Sequence, residues 1–227
     1  MKNIAIIPAR SGSKGLTDKN IKEINGIPLL AYSIKAAEES GLFEEIMVST
    51  DSEKYADIAI KYGAKVPFLR SQANSCDNAG SWEVVKEVLA EYRKGGRNFE
   101  TVCLLQPTSP LREAQDIING YEQMRVKKAD AITSVCEVDH SPQWSTTLDD
   151  DLSLKEFRKN VSSNLMRQKL GQYYRINGAL YIRKIEYTDT EVIIKDKEEY
   201  AIVMGREKSI DIDTLLDFKL AEFLLTL

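Results

Sequence analysis

The chain has 227 residues, 43% apolar and 29% charged, so it can bury one substantial core and is too apolar to be disordered as a whole. With 31 Lys and Arg against 35 Asp and Glu, the formal net charge is -4; this excludes nucleic-acid binding by bulk charge and requires any anion site to be built locally from a few cations. A single histidine, His140, excludes multi-histidine metal sites, HExxH zinc chemistry and, unless His140 serves, Ser-His-Asp hydrolysis.

The cysteines Cys76, Cys103 and Cys136 form no CxxC pair and read as reduced, buried thiols of a cytoplasmic protein. No apolar run approaches the ~20 residues of a membrane span. The apolar stretch from Ile4 to Ala9 is too short for a signal sequence and runs into Arg10, so it reads as a first strand. There is no repeat and no low-complexity tract.

In chain order, Asn3 to Ile7 is a β-branched run of the kind buried on both faces of a parallel sheet, followed by a polar loop from Arg10 to Asn20. Leu29 to Ser40 has helical spacing and stops at Gly41. Ile46 to Ser49 is a strand, Ser52 to Tyr62 a helix stopped by Gly63, and Ala64 to Phe68 a strand. Ser81 to Lys94 is a helix, Thr101 to Leu105 a strand, Glu113 to Lys127 a helix and Ala131 to Val138 a strand. This alternation predicts a mainly parallel sheet with helices on both faces, a three-layer α/β/α arrangement in which ligands bind at the carboxyl ends of strands.

The rhythm breaks at Asp139, and the polar stretch of about 139–175 reads as an insertion within a single domain covering 1–227. Strands resume at Ile176 to Ile182, then Thr190 to Lys195 and Ala201 to Met204. A last helix occupies Asp213 to Leu227, with Asp213 or Thr214 as N-cap and Asp217 in its first turn.

Four stretches carry chemistry. Arg10, Lys14 and Lys19, with Gly12, Gly15, Ser11 and Ser13, form a loop at the end of a strand where backbone N–H groups and cations can cradle a phosphate; it is neither a P-loop nor GxGxxG. Leu104-Leu105-Gln106-Pro107-Thr108-Ser109-Pro110-Leu111-Arg112 is a rigid turn whose Gln106 amide can read a base edge. Asp211 and Asp213, at i and i+2 of an extended segment, face the same way and, with phosphate oxygens, can hold Mg²⁺. Arg167 and Arg175, the latter before Asn177-Gly178-Ala179-Leu180-Tyr181, can grip a carboxylate; each can equally be a surface ion pair.

Together these motifs resemble those of the CMP-sialic acid synthetases, the N-acylneuraminate cytidylyltransferases and their bacterial relatives acting on other nine-carbon acids, and they run in the family's order from Ile4 to Phe218. The resemblance implies a Rossmann-like nucleotidyltransferase that moves CMP from CTP to the anomeric hydroxyl of a nonulosonic acid and releases pyrophosphate. Arg10, Lys14 and Lys19 match positions around the triphosphate and carry the catalytic role. Asn20, Arg70, Ala79, Ser81 and Gln106 match positions around the nucleotide, to which Ser13 of the loop is added. Asp211 and Asp213 match the divalent-metal carboxylates; Arg167 and Arg175 match arginines near the acid sugar, with Gln106 and Tyr181 as further substrate contacts. The resemblance also implies a homodimer joined through the insertion, and no nucleic-acid or membrane partner.

One departure bears on the acceptor. The bacterial sialic acid enzymes carry His-Pro and a lysine two residues on, whereas His140-Ser141-Pro142-Gln143-Trp144 puts a tryptophan there. A legionaminic- or pseudaminic-type acid is therefore an alternative to N-acetylneuraminate. Further readings are the eight-carbon acid Kdo, a transferase using UTP or another acceptor, and a non-catalytic nucleotide-binding protein on the same fold.

Overall fold

The computed structural model describes residues 2–13, 15–76, 80–160 and 171–227. In chain order its elements are β1 (Asn3–Pro8), β2 (Glu23–Ile24), β3 (Ile27–Pro28), α1 (Leu29–Ser40), β4 (Glu45–Ser49), α2 (Glu53–Lys61), α3 (Ser81–Lys94) and β5 (Thr101–Leu104). There follow α4 (Ala114–Lys127), β6 (Ala131–Glu137), α5 (Lys155–Asn160), β7 (Tyr174–Tyr187), β8 (Val192–Ile194), β9 (Glu199–Val203) and α6 (Leu215–Leu224).

The main sheet runs β4-β1-β5-β7-β6-β9, with β8 paired to β7. Strands β4, β1 and β5 are mutually parallel, as are β6 and β9; β7 is antiparallel to both its neighbours. Alternate residues of β1 face opposite layers. Ala5 and Ile7 meet α1, α2 and α4 through Leu30, Ile34, Tyr55 and Ile117, while Ile4 and Ile6 meet Val85, Val88 and Leu89 of α3. The expected three layers are thus present. A third cluster packs Phe218 and Ala221 of α6 with Ile212 onto Ile24 and Leu29 beneath the β2–β3 hairpin.

Three expectations are corrected. Ala64 to Phe68 is not a strand: Lys65 alone bridges to Met47, and the next residue that would donate to β4 is Pro67, which has no N–H. The resumed strand is longer than its apolar core, because β7 spans 14 residues and its polar ends are paired by β6 and β8. Cys103 and Cys136 are buried as expected, but Cys76 is exposed, its thiol donating to the Ala73 carbonyl after a single 3-10 turn.

Between Thr133↔Tyr181 and Val135↔Ile176, β6 advances two residues while β7 advances five, so Asn177 to Leu180 form a bulge. Side chains hold it. Ser134 Oγ donates to Asn177 Oδ1 at 2.6 Å and accepts from the Leu180 N–H at 2.8 Å, and Asn177 Nδ2 donates to Ser209 Oγ at 2.9 Å. Gly178 takes φ +78 at its tip, a conformation L side chains resist.

Candidate active site

The loop after β1 is fixed at both ends. The Ser11 N–H and hydroxyl donate to the two carboxylate oxygens of Asp51, just past β4, at 2.7 and 3.0 Å. Asn20, 6% exposed, donates from Nδ2 to the Arg10 carbonyl at 3.0 Å. Between these anchors Gly12 has φ +69, and Gly15 approaches the backbone of Asp213 so closely that a Cβ would stand 2.9 Å from its carbonyl oxygen. The loop therefore packs directly on the segment carrying the two aspartates.

Lys19 joins the same parts from the side-chain level. Its Nζ donates to the Ile212 carbonyl at 2.6 Å and to Asp213 Oδ1 at 3.0 Å. Ile212 is buried, which turns the flanking Asp211 and Asp213 away from the core together, as expected of an i, i+2 pair. Thr108 holds this segment by its carbonyl, which accepts from the Ile212 N–H at 2.9 Å, and by its hydroxyl, which bonds Asp211. Desolvation of its carboxyl and the neighbouring Asp213 charge raise the Asp211 pKa against the opposing pull of Thr108, Lys19 and Arg175. Thr214, and not Asp213, caps α6, in a reciprocal capping box with Asp217, so the Asp213 carboxylate is not needed as a cap.

Arg70, within electrostatic reach of Arg10 and Asp51, is 8% exposed, with Nε on Ser49 Oγ at 3.0 Å and Nη2 on the Ser49 carbonyl at 2.5 Å. Burial lowers its pKa to about 10, so it is a fixed cation at neutral pH. The Gln106 side chain reaches the β7 bulge: its Oε1 lies 3.4 Å, and Asp211 Oδ2 3.7 Å, from where a Gly178 Cβ would stand. These groups surround a cavity of about 450 Å³ lined by Arg10, Ser13, Gly15, Lys19, Asn20, Arg70, Ser81, Gln106, Thr108 and Asp213, among others. Chemically, it brings together cations and backbone N–H groups that can hold an anion, an amide reader, and a carboxylate paired with Lys19. Among the described residues no group of three or more His, Cys, Asp or Glu converges.

The cytidylyltransferase family profile matches residues 4–223. The chain belongs to this family. This cytidylyltransferase is 35% identical to a CMP-N,N'-diacetyllegionaminic acid synthase of Legionella pneumophila, covering all of this chain and 97% of that protein. It is 40% identical to an N-acylneuraminate cytidylyltransferase of Escherichia coli, over 97% of this chain and 51% of that protein, so it spans about half the length of that relative. In fold it is similar to the solved CMP:2-keto-3-deoxy-manno-octonic acid synthetase complexed with CTP, with a TM-score of 0.70 at 14% identity over 100% of this chain and 99% of that one.

In the cytidylyltransferase, eight of the residues expected from sequence line this cavity together: Arg10, Ser13, Lys19, Asn20, Arg70, Ser81, Gln106 and Asp213. Asp211 lies at its margin beside Gln106. Arg175 is exposed, its Nη2 donating to the Ser209 carbonyl at 3.2 Å and its charge acting on Asp211. Tyr181 stacks edge-on against Trp82 of α3, with ring centroids 6.2 Å apart, and does not line the cavity. Lys14, Ala79 and Arg167 lie outside the described residues. Sequence reasoning missed the supports: Asp51 and Ser49 at the end of β4, Thr108 under Asp211, and the Ser134–Asn177 pair shaping the bulge. The signal for the last was Asn177-Gly178 inside an otherwise strand-like run, the mark of a bulge.

Proposed function

We propose that this nucleotidyltransferase moves CMP from CTP to the anomeric hydroxyl of a nonulosonic, sialic-type acid and releases pyrophosphate. The observation that carries the reading is the convergence of Arg10, Lys19, Arg70, Gln106 and Asp213 on one cavity at the carboxyl ends of β1, β4 and β5. The loop cations face the β- and γ-phosphates and stabilise the charge that grows on the leaving pyrophosphate. Gln106 orients the nucleotide, and Arg70 supplies a desolvated fixed charge in the same cavity. Arg175, exposed beside Asp211, together with Arg167, receives the carboxylate of the acid sugar and turns its anomeric hydroxyl toward the α-phosphorus.

Asp211 and Asp213 are hard oxygen donors on one face of an extended segment; this donor set fits Mg²⁺, with the remaining ligands supplied by phosphate and water. When bound there, Mg²⁺ supplies Lewis-acid stabilisation of phosphoryl charge. Lys19, paired with Asp213, holds that carboxylate close to the phosphate loop.

The protein is proposed to act in the cytoplasm as a homodimer joined through the insertion at about 139–175. Leu148, Leu152 and Leu154 there are exposed in the single chain, which supports a partner surface; no helix among the described residues is long and apolar enough to cross a membrane. A diacetylated 9-deoxy acid of the legionaminic type is the second acceptor reading. It is favoured by the full-length match to the Legionella protein and by Trp144, which offers apolar area and one N–H where a lysine would offer charge. The test is pyrophosphate release from CTP and from UTP against N-acetylneuraminate, diacetyllegionaminate, pseudaminate and Kdo. Turnover with CTP and a nine-carbon acid is expected. Turnover with none of them overturns the reading and leaves a binding protein.

A further inference from the structure

Arg112 ends the turn that carries Gln106, yet it is 2% exposed and forms no ion pair among the described residues. Its Nη1 donates to the Ala179 carbonyl at 2.9 Å and to the Gln106 carbonyl at 3.3 Å. Nε and Nη2 are buried with no hydrogen-bond partner among the described residues. A guanidinium so placed works against the stability of the fold, and an apolar side chain of similar volume would fill the space without leaving donors unmet. Its position must therefore be read from the two groups it does touch.

Those groups belong to the two walls that meet across Gly178. Gln106 is the amide reader of the cavity, and its carbonyl is approached by Ser33 Oγ as well as by Arg112, both at 3.3 Å. Ala179 follows the tip of the β7 bulge, and Arg112 Nη1 is the donor given to its carbonyl. Above this tie the Gln106 carboxamide and the Asp211 carboxylate both come within 4 Å of the same point on Gly178. No other side chain among the described residues hydrogen-bonds both the Gln106 turn and the bulge.

We propose that Arg112 is a positioning residue: from beneath the cavity it clamps the Gln106 turn to the β7 bulge, and so sets the spacing between the nucleotide reader and the metal-side carboxylate. This rests on the transferase reading above. Arg112→Lys keeps the charge but ends one bond short of Nη1, the single nitrogen that bonds both carbonyls, and Arg112→Met removes charge and donors together.

The experiment measures, for both variants and the unaltered protein, thermal midpoint, kcat, KM for CTP, KM for the acid sugar and half-saturation by Mg²⁺. The clamp predicts that KM for CTP and the Mg²⁺ half-saturation rise together by about tenfold or more, since a misplacement of ~1 Å costs about 10²-fold. KM for the acid sugar stays put, and the thermal midpoint of Arg112→Met is unchanged or higher. A merely structural role would lower the thermal midpoint or the active fraction and leave both constants unmoved; that result overturns the proposal, as does failure of both variants to fold. Absence of pyrophosphate release by the unaltered protein overturns the transferase reading itself, whereas an active parent with unmoved variants overturns the clamp alone.

Discussion

Replacing Gly15 by alanine tests whether the phosphate loop and the carboxylate segment work as one unit. The new Cβ would stand 2.9 Å from the Asp213 carbonyl oxygen. This is about half an ångström inside the ~3.5 Å at which heavy atoms normally touch. The carboxylate side does not yield easily: the contacted atom is backbone, and Ile212 beside it is fully buried. Forcing a methyl into such a contact costs about 1–3 kcal/mol, most of it recoverable by moving the loop outward. A displacement of ~1 Å at a reacting centre costs about 10²-fold, so half that displacement is expected to lower kcat/KM for CTP about tenfold. Gly12→Ala is the control. Gly12 has φ +69 but nothing within 4 Å of its Cβ position, so alanine there meets backbone strain of about 1–2 kcal/mol and no collision. Pyrophosphate release and thermal melts on both variants separate the effects: Gly12→Ala loses stability with kcat/KM of the same order, and Gly15→Ala loses kcat/KM. Equal losses in the two, or none in Gly15→Ala, would refute the coupling of loop to carboxylates.

Lys19→Ala is expected to lower turnover by about 10²–10³-fold while the protein stays folded, as for loss of one electrostatic donor; near-normal turnover would reduce Lys19 to a tie between Ile212 and Asp213. Excess EDTA should abolish activity, and Asp211→Asn should raise the Mg²⁺ needed for half-saturation; full activity in EDTA removes the metal from the mechanism. Sedimentation should give a dimer, and a monomer at micromolar concentration would reject the insertion as an interface. Glu45 is buried, which pushes its pKa up, but hydrogen bonds from Arg97 at 2.7 Å and Tyr92 at 2.9 Å, with the Arg97 and Lys65 charges, bring it net below the ordinary 4.5. Its contribution to stability is therefore complete above that value and lost as pH falls through the lower folded pKa. Melts over this acid range should show a shallower decline for Glu45→Gln, and parallel curves would count against the assignment.

Apart from the short β2–β3 hairpin and the stretch from Ala64 to Phe68, the first half of the fold was legible because its elements carry their own punctuation. Gly41 at φ +65 ends α1, Gly95 follows α3, and β1 is buried from Asn3 to Ile7. The site residues were legible because they lie on loops next to such strands, in motifs whose cations, amide and paired aspartates declare their chemistry. The direction of β7 was not, since an apolar run has the same composition in either orientation and only its neighbours decide. Nor were Asp51, Thr108 and Ser134, which act through single hydrogen bonds to residues far off in sequence and leave no local pattern.

The placement of β7 bears on how the protein is made. Its register joins Leu104 to Tyr181 on one side and Thr133 to Tyr181 on the other. As the polypeptide leaves the ribosome, β4, β1 and β5 can assemble early, but β5 then presents an unpaired flank, and β6 has no neighbour until β7 emerges. The wait spans some eighty residues after β5, long enough at ~5–20 residues per second for an exposed edge to meet other nascent chains. Such non-local closure is slow and vulnerable to aggregation. Chains cut between Leu104 and Tyr174 should accumulate as insoluble half-sheets, and a premature stop there should therefore be felt as lost material before it is felt as lost chemistry.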